Sequence, residues 1–225
     1  MSTIINKNNI KCAVFDLDGT LLNTLETIKY YLNTVLVAHG FSGITTEQCR
    51  SFVGDGAVKL VRRALAAVGA DQSNFDSVFA EYNAAYNADP YYLTTCYEGV
   101  PEMLDALRQG GISLAVLSNK PDFATKAAIE RFFPSTFSLV IGGREGKPLK
   151  PSPDSLYEIM DALSADPTTT AYVGDSEPDV IMAKNASVAL GIFVSYGFRT
   201  AAQLAAAGAE IILSDPTAVS RLILN

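Results

Sequence analysis

The chain has 225 residues, of which 48% are hydrophobic and 18% charged, and its formal net charge is -7 at pH 7. This length can bury a sizeable core, and the acidic balance gives no general affinity for nucleic acids or anionic membranes. The start, MSTIINKNNI, lacks the pattern of a signal peptide, and no window approaches the ~20 apolar residues of a membrane helix. Three widely spaced cysteines without disulfide or metal-site spacing favour a reducing compartment. We therefore expect a cytoplasmic protein that binds neither nucleic acid nor membrane.

The first predicted element is a strand over 11–15, a short apolar run that ends at Asp16 and Asp18. The residues that follow contain no convincing buried strand. They carry helical patterns instead, over 24–40, 57–69 and 73–90. We therefore predict a helical domain over residues 24–96, inserted after the first strand.

Strand and helix patterns alternate in the rest of the chain. Continuous apolar runs, typical of strands buried on both faces, occupy 113–117, 137–141, 170–173 and 188–194. Helical patterns occupy 100–111, 122–133, 153–163 and 178–186. This alternation predicts an α/β fold, in which a doubly wound parallel-sheet core is formed by residues 1–23 and 97–225.

Polar residues follow several of the predicted strands. Asp16 and Asp18 follow the first, Ser118 the second and Asp175 the fourth, while Lys150 adds a cation from the segment LKPSPD. Ligands of open parallel sheets bind at the carboxyl ends of the strands. Carboxylate oxygens suit Mg²⁺, and a lysine with a hydroxyl can hold phosphoryl oxygens. These residues together indicate a phosphoryl-transfer site.

Four sequence motifs resemble those of the haloacid dehalogenase-like phosphatases, in the same order. They are DLDGTLL at 16–22, Ser118 in LSN, Lys150 in LKPSP and GDSEPD at 174–179. The segments SNKPDFATKAAIERFF, VIGGREGKPLKPSPDSL and SYGFRTAAQLAAAGAEIIL resemble the phosphoglycolate phosphatase branch of that family. The resemblance covers nearly the whole chain and implies a Rossmann-like core with a small all-helical cap domain of the first class.

The resemblance implies catalytic and metal-binding roles for the acidic residues. Asp16 would attack phosphorus and form an aspartyl-phosphate, while Asp18 would give a proton to the leaving oxygen and later take one from water. Mg²⁺ would be held by the side chains of Asp16 and Asp175 and by the backbone carbonyl of Asp18. Asp179 would lie behind these ligands and orient Lys150 or a water on the metal.

The resemblance also implies which residues bind the phosphoryl group. Ser118 and Lys150 would take part in catalysis: Ser118 and the amides near Asn119 would hold phosphoryl oxygens, and Lys150 would neutralise charge between nucleophile and phosphate. The whole phosphate-binding set would be Gly19, Thr20, Ser118, Asn119 and Lys150. In the helical insert, the turn Gly54-Asp55-Gly56 precedes a helix whose N-terminus favours anions. Arg62 or Lys59 on that helix is the predicted determinant of substrate specificity, through a substrate carboxylate.

The predicted function is Mg²⁺-dependent hydrolysis of a small anionic phosphorylated metabolite, with 2-phosphoglycolate as the first candidate. Asp18 argues against a dehalogenase, because a halide leaving group needs no proton. The motifs leave open a pyrophosphatase and a β-phosphoglucomutase-like phosphotransferase of the same fold. A catalytically silent binding module that kept the scaffold is a further alternative. We expect a monomer or a homodimer.

Overall fold

A parallel sheet of six strands forms the centre of the protein. The structure, a computed structural model, describes residues 10–225. The strands follow the order β5-β4-β1-β6-β7-β8, and all neighbours are parallel. They are β1 (Cys12–Phe15), β4 (Ser113–Pro121), β5 (Leu139–Gly143), β6 (Thr170–Gly174), β7 (Leu190–Val194) and β8 (Ile211–Leu213). The five predicted strands are all present, and β8 is an edge strand that the sequence patterns did not predict.

Helices cover both faces of this sheet. They are α5 (Val100–Gln109), α6 (Asp122–Phe132), α7 (Asp154–Ala162), α8 (Glu177–Asn185), α9 (Ala201–Ala206) and α10 (Pro216–Leu224). Alternate residues of β1 belong to different hydrophobic clusters: Ala13 and Phe15 pack with α5, α6 and α10, whereas Cys12 and Val14 pack with α7, α8 and α9. Burial on both faces explains the continuous apolar runs of the strands. The predicted doubly wound α/β fold is confirmed.

Four helices lie between β1 and β4 in the chain: α1 (Leu25–Ala38), α2 (Thr46–Phe52), α3 (Ala57–Ala67) and α4 (Phe75–Ala88). Their apolar faces form a hydrophobic cluster separate from the two clusters of the sheet, and it includes Leu32, Leu36 and Leu65. Two short strands, β2 (Leu22–Asn23) and β3 (Thr95–Cys96), pair antiparallel where the chain enters and leaves this helical insert. The division into domains at 24–96 stays a prediction. Residues 1–9 lie outside the described residues. The predicted core includes them, and the expectation that the chain starts without a signal peptide depends on them.

None of the helices within residues 10–225 has both the length and the apolar character needed to cross a membrane. The three cysteines, Cys12, Cys49 and Cys96, are free thiols. Burial raises the pKa of Cys12 and of Cys49 to about 12. These two thiols are therefore protonated and act as small apolar core residues.

Candidate active site

The order of the strands explains why the predicted site residues meet. β1 is hydrogen bonded to β4 on one side and to β6 on the other. Asp16 directly follows β1, Asp175 directly follows β6, and Ser118 lies in the last part of β4. All three residues are buried. The carboxyl edge of three adjacent strands thus brings Asp16 together with residues that lie more than a hundred positions later in the sequence.

Lys150 lies between two carboxylates of this edge. Its Nζ is 2.8 Å from Asp16 Oδ1 and 2.7 Å from Asp179 Oδ1. Burial alone would lower the pKa of Lys150, but the charges of Asp16 and Asp179 outweigh that effect and raise it. Lys150 is therefore a fixed positive charge beside Asp16.

Asp179 uses both carboxylate oxygens to hold other residues of the site. Oδ1 accepts hydrogen bonds from Lys150 Nζ (2.7 Å) and from the Tyr172 hydroxyl (2.6 Å). Oδ2 accepts from the backbone N–H of Ser176 (3.0 Å) and from its hydroxyl (2.5 Å). Burial opposes ionisation, but Lys150 and these donors lower the pKa of Asp179. This arrangement supports the prediction that Asp179 positions Lys150 from behind.

The buried charges of the edge do not balance. One oxygen from each of Asp16, Asp175 and Asp179 lies within 4.8 Å of the others, whereas one ammonium group, that of Lys150, pairs with two of these three carboxylates. Burial, together with the neighbouring acidic charges, raises the pKa of Asp16 to about 7 and that of Asp175 well above its usual range. A divalent cation would offset the excess of two negative charges. The available donors are oxygen atoms, which fits a hard cation such as Mg²⁺.

Asp175 is held in place by the chain around it. Its Oδ1 accepts from the Thr20 hydroxyl (3.3 Å) and its Oδ2 from the backbone N–H of Phe198 (2.7 Å). Gly19, at φ +94°, lies so close that a Cβ there would overlap the Asp175 carboxylate. Only glycine fits at this position. Thr20 and Gly19 thus contact the candidate metal ligand, and their predicted phosphate contacts stay predictions.

Asn119 fixes the backbone that carries Lys150. Its Oδ1 accepts from the Lys150 N–H (2.8 Å), while its Nδ2 donates to the Lys150 carbonyl (3.2 Å) and to the Gly54 carbonyl (3.1 Å) of the helical insert. These bonds occupy the Asn119 side chain. The predicted contact between Asn119 and phosphate therefore depends on its backbone N–H. Ser118 Oγ accepts from the Lys120 N–H (3.2 Å) and faces the same space as Asp16.

A cavity of about 90 Å³ opens between the sheet edge and the helical insert. The core contributes Asp16, Asp18, Ser118, Asn119, Lys120 and Lys150 to its wall, and the insert contributes Ile28, Val53, Gly54, Gly56, Ala57, Leu60, Tyr82, Asn83, Tyr86 and Asn87. Helix α3 begins at this wall, and its N-cap residue, Gly56, has no side chain that could cap the N–H groups of the first turn. The small volume and the polar floor suit a small anionic molecule.

Lys120 is a charged residue of this wall that sequence reasoning missed. Its Nζ lies 3.1 Å and 3.2 Å from the two carboxylate oxygens of Asp18, and it donates to the Tyr86 hydroxyl at 2.7 Å. Asp18 therefore faces the cavity with a lysine of its own, separate from Lys150. The only signal in the sequence was the position of Lys120 two residues after Ser118 on the same strand.

Arg62 and Lys59, the predicted specificity residues, do not line the cavity. The guanidinium of Arg62 stacks on the ring of Phe75, 3.8 Å from its centroid, and bonds Gln72. The Lys59 side chain is 62% exposed and pairs with Asp55. Both side chains leave α3 on faces that point away from the cavity, so the structure gives this prediction no support.

Known proteins are similar to this chain in sequence and in fold. The sequence profile of a family described as "Haloacid dehalogenase-like hydrolase" matches residues 13–192. The chain belongs to the haloacid dehalogenase-like hydrolase family. Among the relatives in this family is a phosphoglycolate phosphatase of Rhodobacter capsulatus, 37% identical over 189 residues, which cover 83% of this chain and 84% of the relative.

Two further relatives in the haloacid dehalogenase-like family carry related names. A phosphoglycolate phosphatase of Pseudomonas syringae pv. tomato is 34% identical over 211 residues, which cover 91% of this chain and 76% of the relative. A crystal structure of a predicted phosphoglycolate phosphatase from Haemophilus somnus superposes with a TM-score of 0.87 at 25% identity, over 95% of this chain and 98% of that one. The protein is accordingly a hydrolase of the phosphatase type.

Proposed function

We propose that this protein is a Mg²⁺-dependent phosphatase that hydrolyses 2-phosphoglycolate through an aspartyl-phosphate on Asp16. The observation that carries the proposal is the pairing of Asp16 with Lys150 at 2.8 Å on the floor of a small cavity that Asp18 also lines. The names of the relatives from Rhodobacter capsulatus and Pseudomonas syringae support the choice of substrate.

In the first step, an oxygen of Asp16 attacks phosphorus, and the bond between phosphorus and the ester oxygen breaks. Lys150, already bonded to Asp16, lies where negative charge accumulates on the transferring phosphoryl group. Ser118 offers a hydroxyl to one phosphoryl oxygen from the same wall. Asp18 gives its proton to the departing alcohol oxygen, so that the alcohol leaves neutral.

In the second step, water attacks the phosphorus of the aspartyl-phosphate, and Asp18 takes the proton of that water. The bond between phosphorus and Asp16 breaks, which releases inorganic phosphate and restores the carboxylate. Lys120, which bonds both oxygens of Asp18, holds this side chain over the cavity in both steps. The same two aspartates thus act as nucleophile and as proton carrier.

Asp16, Asp175 and the backbone carbonyl of Asp18 would hold the cation, with Asp179 engaged by Lys150, Tyr172 and Ser176 instead. Mg²⁺ bound there would supply positive charge to the phosphoryl oxygens. The excess of buried carboxylates supports this assignment. The three free thiols support the predicted cytoplasmic location of the protein.

We also propose that residues 24–96 act as a cap that closes the site against bulk water. Contacts between the insert and the core surround the cavity: Asn119 bonds Gly54, and Lys120 bonds Tyr86. We expect these two bonds to open when substrate enters. Comparing structures with and without a phosphate mimic tests the closure, and an insert in the same position in both would contradict it.

Phosphate release from a panel of substrates tests the proposed activity. With Mg²⁺ present, 2-phosphoglycolate is expected to give the highest kcat/KM. Faster release from inorganic pyrophosphate would favour a pyrophosphatase, and isomerisation of a sugar phosphate without net phosphate release would favour a mutase. No release from any small phosphate, aryl phosphates included, would overturn the proposed hydrolysis.

A further inference from the structure

The cavity contains a second buried ammonium group, that of Lys120. Of the described residues that line the cavity, only Lys120 and Lys150 carry a positive charge. The Lys120 side chain is 7% exposed and is held from two sides, by Asp18 of the core and by Tyr86 of the insert. Its position at the junction of core and insert places it where a ligand is enclosed.

The two lysines differ in their partners. Lys150 lies between two carboxylates, Asp16 and Asp179. Lys120 has one carboxylate partner, Asp18, and its second partner is the neutral hydroxyl of Tyr86 at 2.7 Å. The Lys120 ammonium group can therefore donate to a second carboxylate, whereas Lys150 already pairs with two.

The position of Lys120 relative to Asp18 fixes how far such a carboxylate lies from phosphorus. In the proposed reaction the leaving oxygen is hydrogen bonded to Asp18, and Lys120 lies one hydrogen bond further on, 3.1 Å from Asp18 Oδ1. In 2-phosphoglycolate a single methylene separates that oxygen from the carboxylate. A carboxylate at this spacing reaches Lys120, whereas a longer acid would extend past it toward the wall formed by α4.

We infer that Lys120 binds the carboxylate of the substrate and is the residue that selects 2-phosphorylated short acids over uncharged phosphoesters. This inference rests on the proposed phosphatase function. It assigns the specificity role to a lysine of the core instead of Arg62 or Lys59, whose side chains do not line the cavity. Hydrogen bonds to a charged partner in a water-poor site distinguish strongly between ligands that have the partner and ligands that lack it.

The test compares two substrates of nearly equal size, 2-phosphoglycolate and 2-hydroxyethyl phosphate, in which a hydroxymethyl group replaces the carboxylate. The measured quantity is the ratio of their kcat/KM values. Wild-type protein is expected to favour 2-phosphoglycolate, and Lys120→Met is expected to lower the ratio by about 10- to 100-fold. Lys126→Met is the matched control, because Lys126 is 58% exposed on α6 and pairs with Asp122. Its ratio should equal that of wild type.

Loss of the contact between Lys120 and Asp18 should also slow the hydrolysis of both substrates. This common effect cancels in the ratio of the two kcat/KM values. Lys120→Gln, which keeps a donor toward Asp18 and Tyr86, gives a second neutral variant if Lys120→Met does not fold. An unchanged ratio in the neutral variants would overturn the inference and leave Lys120 as a residue that positions Asp18. A wild type that hydrolyses both substrates equally well would also overturn it. A wild type inactive on both would instead contradict the proposed function.

Discussion

Asp16 combines two properties that protein interiors usually avoid. Its side chain is only 9% exposed, and it shares the Lys150 ammonium group with Asp179. Uncompensated charge in a buried position costs several kcal/mol of folding free energy. A carboxylate with a perturbed pKa on the floor of a cavity is typical of catalytic sites, where the reaction requires such a group.

Replacing Asp16 by asparagine tests its role as nucleophile at nearly constant shape. Asp16→Asn is expected to lower phosphate release from 2-phosphoglycolate by at least about 10³-fold, because the amide cannot attack phosphorus. The melting temperature should stay the same or rise, since one of the crowded negative charges is removed. Asp161→Asn, on the exposed surface of α7, is the control and should retain activity. Turnover near the wild-type rate in purified Asp16→Asn would refute the covalent route.

The residues of the sheet edge could be predicted from the sequence, but those of the insert could not. Asp16, Ser118 and Asp175 follow apolar strands, and parallel strands bring their carboxyl ends to one edge. No such rule relates Lys120 to Tyr86, which lies on a helix 34 positions earlier in the chain. The side chain of Arg62 was predicted to face a substrate, but the ring of Phe75 offers it a closer partner.

At the scale of elements, the loop between β7 and α9 links the catalytic edge to the helical insert. Arg199 in this loop is 7% exposed and donates to two carbonyls at the C-terminal end of α2, those of Arg50 (2.6 Å) and Val53 (2.9 Å). It also pairs with Glu177 at the start of α8 at 2.8 Å. One guanidinium of the core thus donates hydrogen bonds to the free carbonyls at the C-terminal end of an insert helix.

Removing this guanidinium should loosen the insert. Arg199→Ala leaves both carbonyls of α2 without their donor, and we expect a loss of about 2 kcal/mol in the free energy of unfolding. Amide hydrogen exchange over residues 46–56 should become faster, and KM for the substrate should rise. The control is Arg221→Ala, which removes an exposed ion pair with Asp215 and should cost less than about 0.5 kcal/mol. Unchanged exchange over 46–56 would show that Arg199 does not hold the insert.

Short elements escaped the sequence analysis for a physical reason. Helix α2 has seven residues and strand β8 has three half-buried residues, so neither is long enough to display a clear apolar period. Their stability comes from neighbours: α2 has a capping box at Thr45 and Gln48, and β8 pairs with β7. Tertiary contacts of this kind are invisible in a single sequence, whereas the buried strands and most of the longer helices were predictable. Helix α10, with nine residues, was not predicted.

At the scale of the whole molecule, the excess of negative charge at the sheet edge links folding to cation binding. A ligand that binds only the folded state adds about 2.7 kcal/mol of stability at 100 times its Kd. After treatment with a chelator, adding Mg²⁺ should therefore raise the melting temperature by roughly 5–10 °C for a chain of this size. The same addition should have little effect on Asp175→Asn. An equal shift in that variant would place the cation elsewhere.

The hydrophobic cluster of the insert includes one residue from outside it. Phe198, in the loop between β7 and α9, is 3% exposed and packs among the apolar side chains of α1 to α4, while its N–H binds Asp175. A chimaera that exchanges only residues 24–96 between relatives would therefore leave out one residue of this cluster. A chimaera that takes its insert from one parent and its β7–α9 loop from the other would inherit a mismatched ring at this position. Compatible exchange units in this protein consist of the insert together with a loop about a hundred residues further along the chain.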